Sequence, residues 1–320
     1  MIVEPADSEV RRREKLRLEG VIRETREAAL VVNTHSRRGR RLYARAKALL
    51  EDRGIRLTES YPVKDPSRLP EIIETLVERG HKLIIVGGGA GTVSSVVDFL
   101  AYRDVALGVL PLGTANSFAR TLGLPIEVSE AVDVIATGKV ADVDLGQIGD
   151  DYFANSAALG ISTDIGRSQP KRLKRYLGRF AYLLVGARRF VTHKAFRCRF
   201  VHGEEVREVS ALDVLIANGP YHGGVLVADD ADIESSDIVI RIIRGPSRWT
   251  LAREWIRIGL GKGFDPRDLE VIRTRDVMLE TEPRQYVSID GEVVTQTPIR
   301  IRVAPEALRI MVPQSFNEQS

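Results

Sequence analysis

Leu83-Ile84-Ile85-Val86-Gly87-Gly88-Gly89-Ala90-Gly91-Thr92 is the stretch on which the reading of this chain turns. Four apolar residues make a buried strand that runs straight into glycines. A helix-compatible run, residues 92–100, follows. Glycines let a backbone come close to an anion, and the free N–H groups and dipole of a helix start point at it. The same pattern also serves as a plain tight turn, with glycines present for packing. On this stretch alone both readings stay open.

Upstream, residues 28–33 (AALVVN) read as a short buried strand, followed by a polar loop to Gly39. Residues 40–53 place Leu42, Ala46, Leu49 and Leu50 at helical spacing, and Gly54 stops that helix. Residues 55–58 predict a second strand, and residues 67–79 a helix with Pro70 in its first turn. Downstream, residues 106–110 (ALGVL) form a fourth strand, then come the loop Pro111-Leu112-Gly113-Thr114-Ala115-Asn116 and helices at 115–122 and 129–137. This alternation predicts an α/β, Rossmann-like domain with a mostly parallel sheet covered by helices on both faces. Such sheets bind ligands at the carboxyl ends of their strands. The loops after strands one, three and four fall there, and three converging loops favour the phosphate reading.

From Val140 the pattern changes to short alternating runs around turn residues. Residues 196–201, 206–218, 238–243, 270–274, 276–280, 285–289, 299–303 and 308–312 are strand candidates, and Asp290-Gly291 is a strong hairpin turn. Helices at 170–190 and 248–260 interrupt them. This half predicts an antiparallel β-sandwich. The expected division is a charged, weakly patterned tail at 1–27 that is helical in part, a nucleotide-binding domain at 28–139, a β-sandwich lipid-binding domain at 140–313 and a tail at 314–320.

Hydrophobic content of 43%, charged content of 28% and a net charge of +3 suit a globular protein that meets anionic ligands or surfaces. The single cysteine, Cys198, excludes an intrachain disulfide framework and points to a reducing cytoplasm. No apolar run approaches the roughly 18 residues that span a bilayer, and the N-terminal stretch lacks an apolar signal core. The histidines show no zinc-ligand spacing, there is no Walker A lysine and no complete GxGxxG, and the basic patches lack interleaved aromatics, so no nucleic-acid partner is argued.

Taken together, these residues resemble the diacylglycerol kinase catalytic-domain family, specifically its soluble bacterial lipid kinases, related in turn to sphingosine and NAD kinases. VVNTHSRRG (residues 31–39) is similar to the family's first nucleotide loop, GGAGT (88–92) to its GGDGT signature, and PLGTANSFARTLGLP (111–125) to its most specific segment. ANGPYHGG (217–224) and IDGE (289–292) resemble stretches of the second domain. The resemblance implies a cytoplasmic kinase, peripheral to the inner membrane surface, that moves the γ-phosphoryl group of ATP, with Mg²⁺, to a lipid hydroxyl such as that of diacylglycerol. It implies a site in the interdomain cleft. Nucleotide contacts would come from Asn33, Ser36, Thr58, Gly88, Gly89, Ala90, Gly91, Thr92, Gly113, Thr114 and Asn116. Glu292 would take the proton from the acceptor hydroxyl, assisted by Asp290.

The chain departs from the family pattern in ways that bear on chemistry. Ala90 stands where GGDGT has Asp, Ser117 where Asp commonly follows Asn, and Ser94-Ser95 where an Asn-Glu pair often lies. Ser235-Ser236 replaces the usual Asp-Gly of a metal-associated loop, with Asp230, Asp232 and Glu234 nearby as candidate metal ligands. Alanine cannot bind Mg²⁺, so the alternative is a catalytically impaired relative that binds nucleotide or lipid. Residues 170–190 form a basic amphipathic pattern that suits an anionic membrane surface. Exposed strand edges in the β domain suit a homodimer.

Overall fold

A computed structural model of the protein describes residues 8–35, 37–161, 163, 194–218, 221–222, 225–226, 237–245, 248–259, 265 and 267–317. Ser36, the basic pattern at 170–190, and Asp230, Asp232, Glu234, Ser235 and Ser236 therefore lie outside the described residues. Contacts divide the chain into two units. The first holds Met1–Leu145, Gly219–Ser236 and Ala304–Ser320, and the second holds Gly146–Asn218 and Asp237–Val303.

The first unit is built on parallel strands β1 (Glu27–Asn33), β2 (Arg56–Val63), β3 (Leu83–Gly88) and β4 (Ala106–Pro111), in the order β2-β1-β3-β4. β3 and β4 are buried along their whole length, as continuous apolar runs in a doubly covered parallel sheet must be. The covering helices are α1 (Ser8–Thr25), α2 (Arg37–Asp52), α3 (Leu69–Glu78), α4 (Ala90–Leu100), α5 (Ser117–Thr121) and α6 (Val128–Thr137). α3 shows the logic in brief. Leu69, Ile73 and Leu76 recur at helical spacing and are buried, and the chain then turns through Gly80 at φ 82°. Leu30, Leu83, Ile85, Leu110, Val132 and Ile135 meet in one apolar core, each such side chain contributing about 1.5–3 kcal/mol by leaving water.

Three expectations are corrected here. Residues 1–27, read as a tail that is helical in part, hold the 18-residue α1, which is no tail: Leu18 and Ile22 bury one turn apart in the same core. Charge holds the rest of that helix: Lys15 lies 3.2 Å from Asp142, and Glu14 lies 2.9 Å from Arg309. A helix fixed by two apolar residues and ion pairs gives little periodic signal. β2 extends well past Thr58 because, as an edge strand, it keeps its polar run Thr58-Glu59-Ser60-Tyr61 half exposed. The units are also not consecutive blocks, since the chain returns to the first unit after the second.

In the second unit, antiparallel strands make two layers. β7 (Ser156–Gly160), β10 (Asp213–Ala217), β13 (Ile238–Ile243), β14 (Leu269–Thr274), β16 (Tyr286–Ile289) and β17 (Glu292–Gln296) form a sheet ordered β14-β13-β10-β7-β16-β17. β8 (Phe196–His202), β9 (Glu205–Ala211) and β15 (Asp276–Glu282) pair alongside the first part of β18 (Ile299–Val312), whose last part pairs in parallel with β4. β5 (Lys139–Ile148) runs from the first unit into the second and pairs with β6 (Asp151–Phe153), and β11 (Tyr221–His222) pairs with β12 (Val225–Leu226) within the first unit. Phe196, Cys198 and Phe200 alternate inward on β8 and pack with Ile238, Ile240 and Ile242 of β13, the period-2 pattern of a sandwich. Burial pushes the Cys198 thiol up to about 12, so it is not a reactive thiolate.

On β2, Glu59 gathers three partners: the Tyr61 hydroxyl, His81 Nε2 at 2.9 Å and Arg79 Nη1 at 2.7 Å. The Tyr61 and His81 hydrogen bonds, with Arg79 adding to them, lower its carboxyl from 4.5 to about 2. A depressed folded-state value stabilises the fold above pH 4.5 and loses that contribution as pH falls toward 2. Glu59→Gln should therefore melt below the parent protein at pH 7, with the gap closing as pH approaches 2 in circular-dichroism melts.

Candidate nucleotide site

β3 delivers Gly87, Gly88 and Gly89 to the carboxyl end of the parallel sheet, and β4 delivers Pro111 to Asn116 beside them. The two loops touch backbone to backbone. A Cβ on Gly113 would sit 2.3 Å from Gly89 Cα, and one on Gly88 would sit 2.4 Å from Thr92. Leu112 and Gly113 both donate their amides to the Gly88 carbonyl, at 2.9 and 3.1 Å. Only glycine admits this approach, so the glycines are explained by packing as well as by any ligand.

Asn116 fixes the second loop. It is buried, adopts φ 48° and ψ 44°, and precedes α5. Its Oδ1 accepts from Gly113 N at 2.9 Å, and its Nδ2 donates to the Gly113 carbonyl at 3.1 Å and the Pro111 carbonyl at 3.3 Å. The expected helix start at 115 moves to Ser117 because this left-handed residue cannot continue a helix backward. Asparagine is among the few residues that accept such a conformation.

α4 starts at Ala90 with Gly89 as its cap and no side chain bonded there. Thr92 N and Val93 N already donate to the Gly89 carbonyl, at 3.0 and 3.2 Å. The amides of Ala90 and Gly91 belong to the first turn, where a helix has no carbonyl of its own to offer. Gly91 is exposed, with open space where a Cβ would point. This helix start fits phosphate oxygens, and the helix dipole favours their charge. A recess of about 10 Å³, the size of one water, is lined by Gly88, Gly89, Ala90, Pro111, Asn116 and Phe118 beside it.

The first loop joins the same place. Asn33 at the end of β1 donates from Nδ2 to Thr92 Oγ1 at 3.0 Å and accepts from His35 N at 3.1 Å. The structure thus brings together Asn33, Gly88, Gly89, Ala90, Gly91, Thr92, Gly113, Thr114 and Asn116. It does not bring Thr58 to them. Thr58 Oγ1 donates to the Ala28 carbonyl at 3.3 Å, five residues before Asn33 on β1, about 16 Å away along the strand at about 3.3 Å per residue. That expectation is corrected by strand polarity, since Thr58 sits near the amino ends.

Asp290 and Glu292 flank the β16–β17 turn of the second unit. Asp290 at φ 46° and Gly291 at φ 94° form a left-handed two-residue turn. The Asp290 carboxylate accepts from Ser156 N at 3.0 Å and Ala154 N at 3.3 Å, and its own amide donates to the Ser156 carbonyl at 2.8 Å. It therefore clamps the turn to the start of β7. Glu292 begins β17 with its side chain exposed.

No acid occurs in the three glycine and polar loops, at 33–35, 87–92 and 111–116. These loops therefore set no acid against an anion and offer Mg²⁺ no carboxylate. Among the described residues the acidic trio that comes together is Glu254, Asp265 and Asp268, with ligand atoms within 4.8 Å of one another. Sequence spacing gave no hint of it. Arg253 pairs with Glu254 and Asp268, and Arg257 lies 4.0 Å from Glu254, as in an ion-pair cluster.

With this geometry in place, comparison with known proteins is direct. Residues 27–148 match the diacylglycerol kinase catalytic domain, and residues 156–312 match the YegS C-terminal NAD kinase beta sandwich-like domain. A "Probable lipid kinase YegS-like" of Enterobacter sp. is 35% identical over 305 residues, 90% of this chain and 96% of that one. A protein of the same description from Chromohalobacter salexigens is 34% identical over 249 residues, 74% of this chain and 78% of that one. The crystal structure of a diacylglycerol kinase from Bacillus anthracis strain Sterne has the same fold, with a TM-score of 0.67 at 22% identity, covering 90% of this chain and 97% of that one.

The loop contact can be tested by stability. Gly113→Ala should cost about 1–3 kcal/mol through overpacking against Gly89, whereas Gly91→Ala, with open space around it, should stay within about 0.5 kcal/mol. Urea unfolding of the two variants decides it.

Proposed function

Because the chain belongs to the diacylglycerol kinase catalytic-domain family, we propose that it transfers the γ-phosphoryl group of ATP to the hydroxyl of a diacylglycerol-like lipid. The observation that carries this reading is the α4 start: first-turn amides at Ala90 and Gly91, held in place by the Gly89–Gly113 contact and the Asn33–Thr92 hydrogen bond.

Phosphoryl transfer depends mainly on positioning and on stabilising charge. In this reading the Ala90 and Gly91 amides hold phosphate oxygens, and Asn116 and Asn33 keep the loops that present them rigid. Thr114, exposed at the rim, contacts the nucleotide. Glu292 takes the proton of the acceptor hydroxyl, and Asp290, through Ala154 and Ser156, holds the turn that presents Glu292. Mg²⁺ is the usual partner of ATP in such chemistry, but the residues of these loops do not fit it.

One observation favours a second reading. Ala90 occupies the first position of α4, where a carboxylate would face the phosphate site. Without it the chain binds nucleotide with little turnover and acts as a nucleotide- or lipid-binding relative.

Calorimetry and a diacylglycerol phosphorylation assay separate the two. A kinase should turn over lipid as it stands, and Glu292→Gln should lower kcat by about 10²-fold or more with an unchanged dissociation constant for ATP. ATP binding without turnover on any lipid hydroxyl would overturn the kinase reading. In that case, gain of Mg²⁺-dependent ATP binding in Ala90→Asp would trace the loss to this residue.

A further inference from the structure

Asp290 secures the turn before Glu292 by accepting from the amides of Ala154 and Ser156, at 3.3 and 3.0 Å. Asn155 lies between those two residues, in the link from β6 to β7. Its backbone carbonyl accepts the Asn218 amide at 2.9 Å, so the link is tied on a second side as well. Ala154, Asn155 and Ser156 are all buried, and Asn155 keeps only 4% of its surface in water. Its side chain breaks the pattern. Asn155 Oδ1 is buried and has no hydrogen-bond partner.

Such an atom counts against folding. A carbonyl oxygen taken out of water without a donor destabilises, and native proteins keep few of them. Other side chains of this chain leave one buried atom unpaired but are engaged through another. Asp144 accepts the Glu306 amide at 2.6 Å through its Oδ1, and Arg244 and Arg257 lie 3.0 and 4.0 Å from Glu270 and Glu254. Among the described residues the Asn155 side chain makes no second bond of that kind. An apolar residue would serve this packed position better for folding alone. An unpaired oxygen this deep, one residue from both anchors of the Asp290 clamp, points to a ligand.

The atom also says which kind of ligand. An amide oxygen accepts and never donates. Ionised phosphate oxygens and ester carbonyls accept too, so neither pairs with it. The hydroxyl that is phosphorylated gives its hydrogen to Glu292 in the kinase reading. A second hydroxyl fits, either on the ribose of the nucleotide or at the polar end of the lipid.

We propose that Asn155 Oδ1 accepts a hydrogen bond from a substrate hydroxyl that is not itself phosphorylated, and that this bond selects substrates carrying that hydroxyl. Naming the ligand as a kinase substrate rests on the kinase reading of Glu292. The unpaired oxygen stands without it.

The test uses the full chain, as the parent and as Asn155→Ala. Each is assayed with ATP and its 2′-deoxy and 3′-deoxy analogues, and with monohexanoylglycerol and its 2-deoxy analogue. Removing one of these hydroxyls should lower the parent's kcat/KM by about tenfold or more, the scale on which a buried acceptor left unpaired discriminates. An effect in the nucleotide arm places the hydroxyl on ribose, and one in the lipid arm places it on the acceptor. In Asn155→Ala the same change should shift kcat/KM by no more than about twofold, because no acceptor is left to go unpaired. Its melting temperature should equal or exceed the parent's, since a buried orphan has been removed. A parent that ignores every one of these hydroxyls would overturn the proposal. So would an Asn155→Ala protein that discriminates as the parent does, or one that melts well below it, the mark of a structural asparagine. Calorimetric binding of the same analogues needs no turnover. Discrimination in binding by a parent that phosphorylates no lipid would sink the kinase reading and leave the Asn155 contact standing. Turnover without discrimination would do the reverse.

Discussion

The contact of Gly89 with Gly113 is the constraint on which the site depends. Two loops from neighbouring parallel strands approach until their α-carbons nearly touch, and nothing larger than hydrogen fits between them. That approach puts the Gly88 carbonyl within reach of two amides of the next loop. It also leaves the start of α4 open. A strand end, a cap and a neighbouring loop are thus fixed together before any ligand arrives, which is how a site avoids reorganisation at the moment of reaction.

Asn116 and Asn33 show a division of labour that motif reading does not reveal. Both look like ligands because they are polar residues in glycine-rich loops. In the fold each is bonded to the protein: Asn116 to Gly113 and Pro111, Asn33 to Thr92 and His35. The same holds for Asp290, whose carboxylate is committed to two backbone amides. Polar side chains at such a site act first by holding the backbone, and backbone amides are left to meet the anion.

How much of this was legible follows the physics of each element. The strands β1, β3 and β4 and the helices α2, α3 and α6 are continuous or periodic apolar runs, and local sequence reports them. The β-domain strands alternate and report themselves as well. α1 did not, because two leucine-sized contacts and several ion pairs replace a periodic face. The far end of β2 did not, because an edge strand can be polar. In the site, the three loops were visible as glycines and turn residues after strands. Thr58 was misplaced because a strand's two ends look alike in sequence while only its carboxyl end faces the loops. The acidic trio of Glu254, Asp265 and Asp268 was invisible for a different reason: Glu254 and Asp268 meet only after the chain has turned back on itself.

β18 carries a consequence for synthesis. It begins paired with β15 of the second unit and ends beside β4 of the first. A chain emerging from the ribosome offers β1 to β4 early, but the strand that lies against β4 is translated only after the second unit. The first unit must therefore wait, with one edge of its apolar sheet uncovered, until the whole second unit has been made. Folding in order from the N-terminus, the default for independent domains, is closed to this protein. An mRNA truncated anywhere before Ala304 would yield an open sheet rather than a finished first unit.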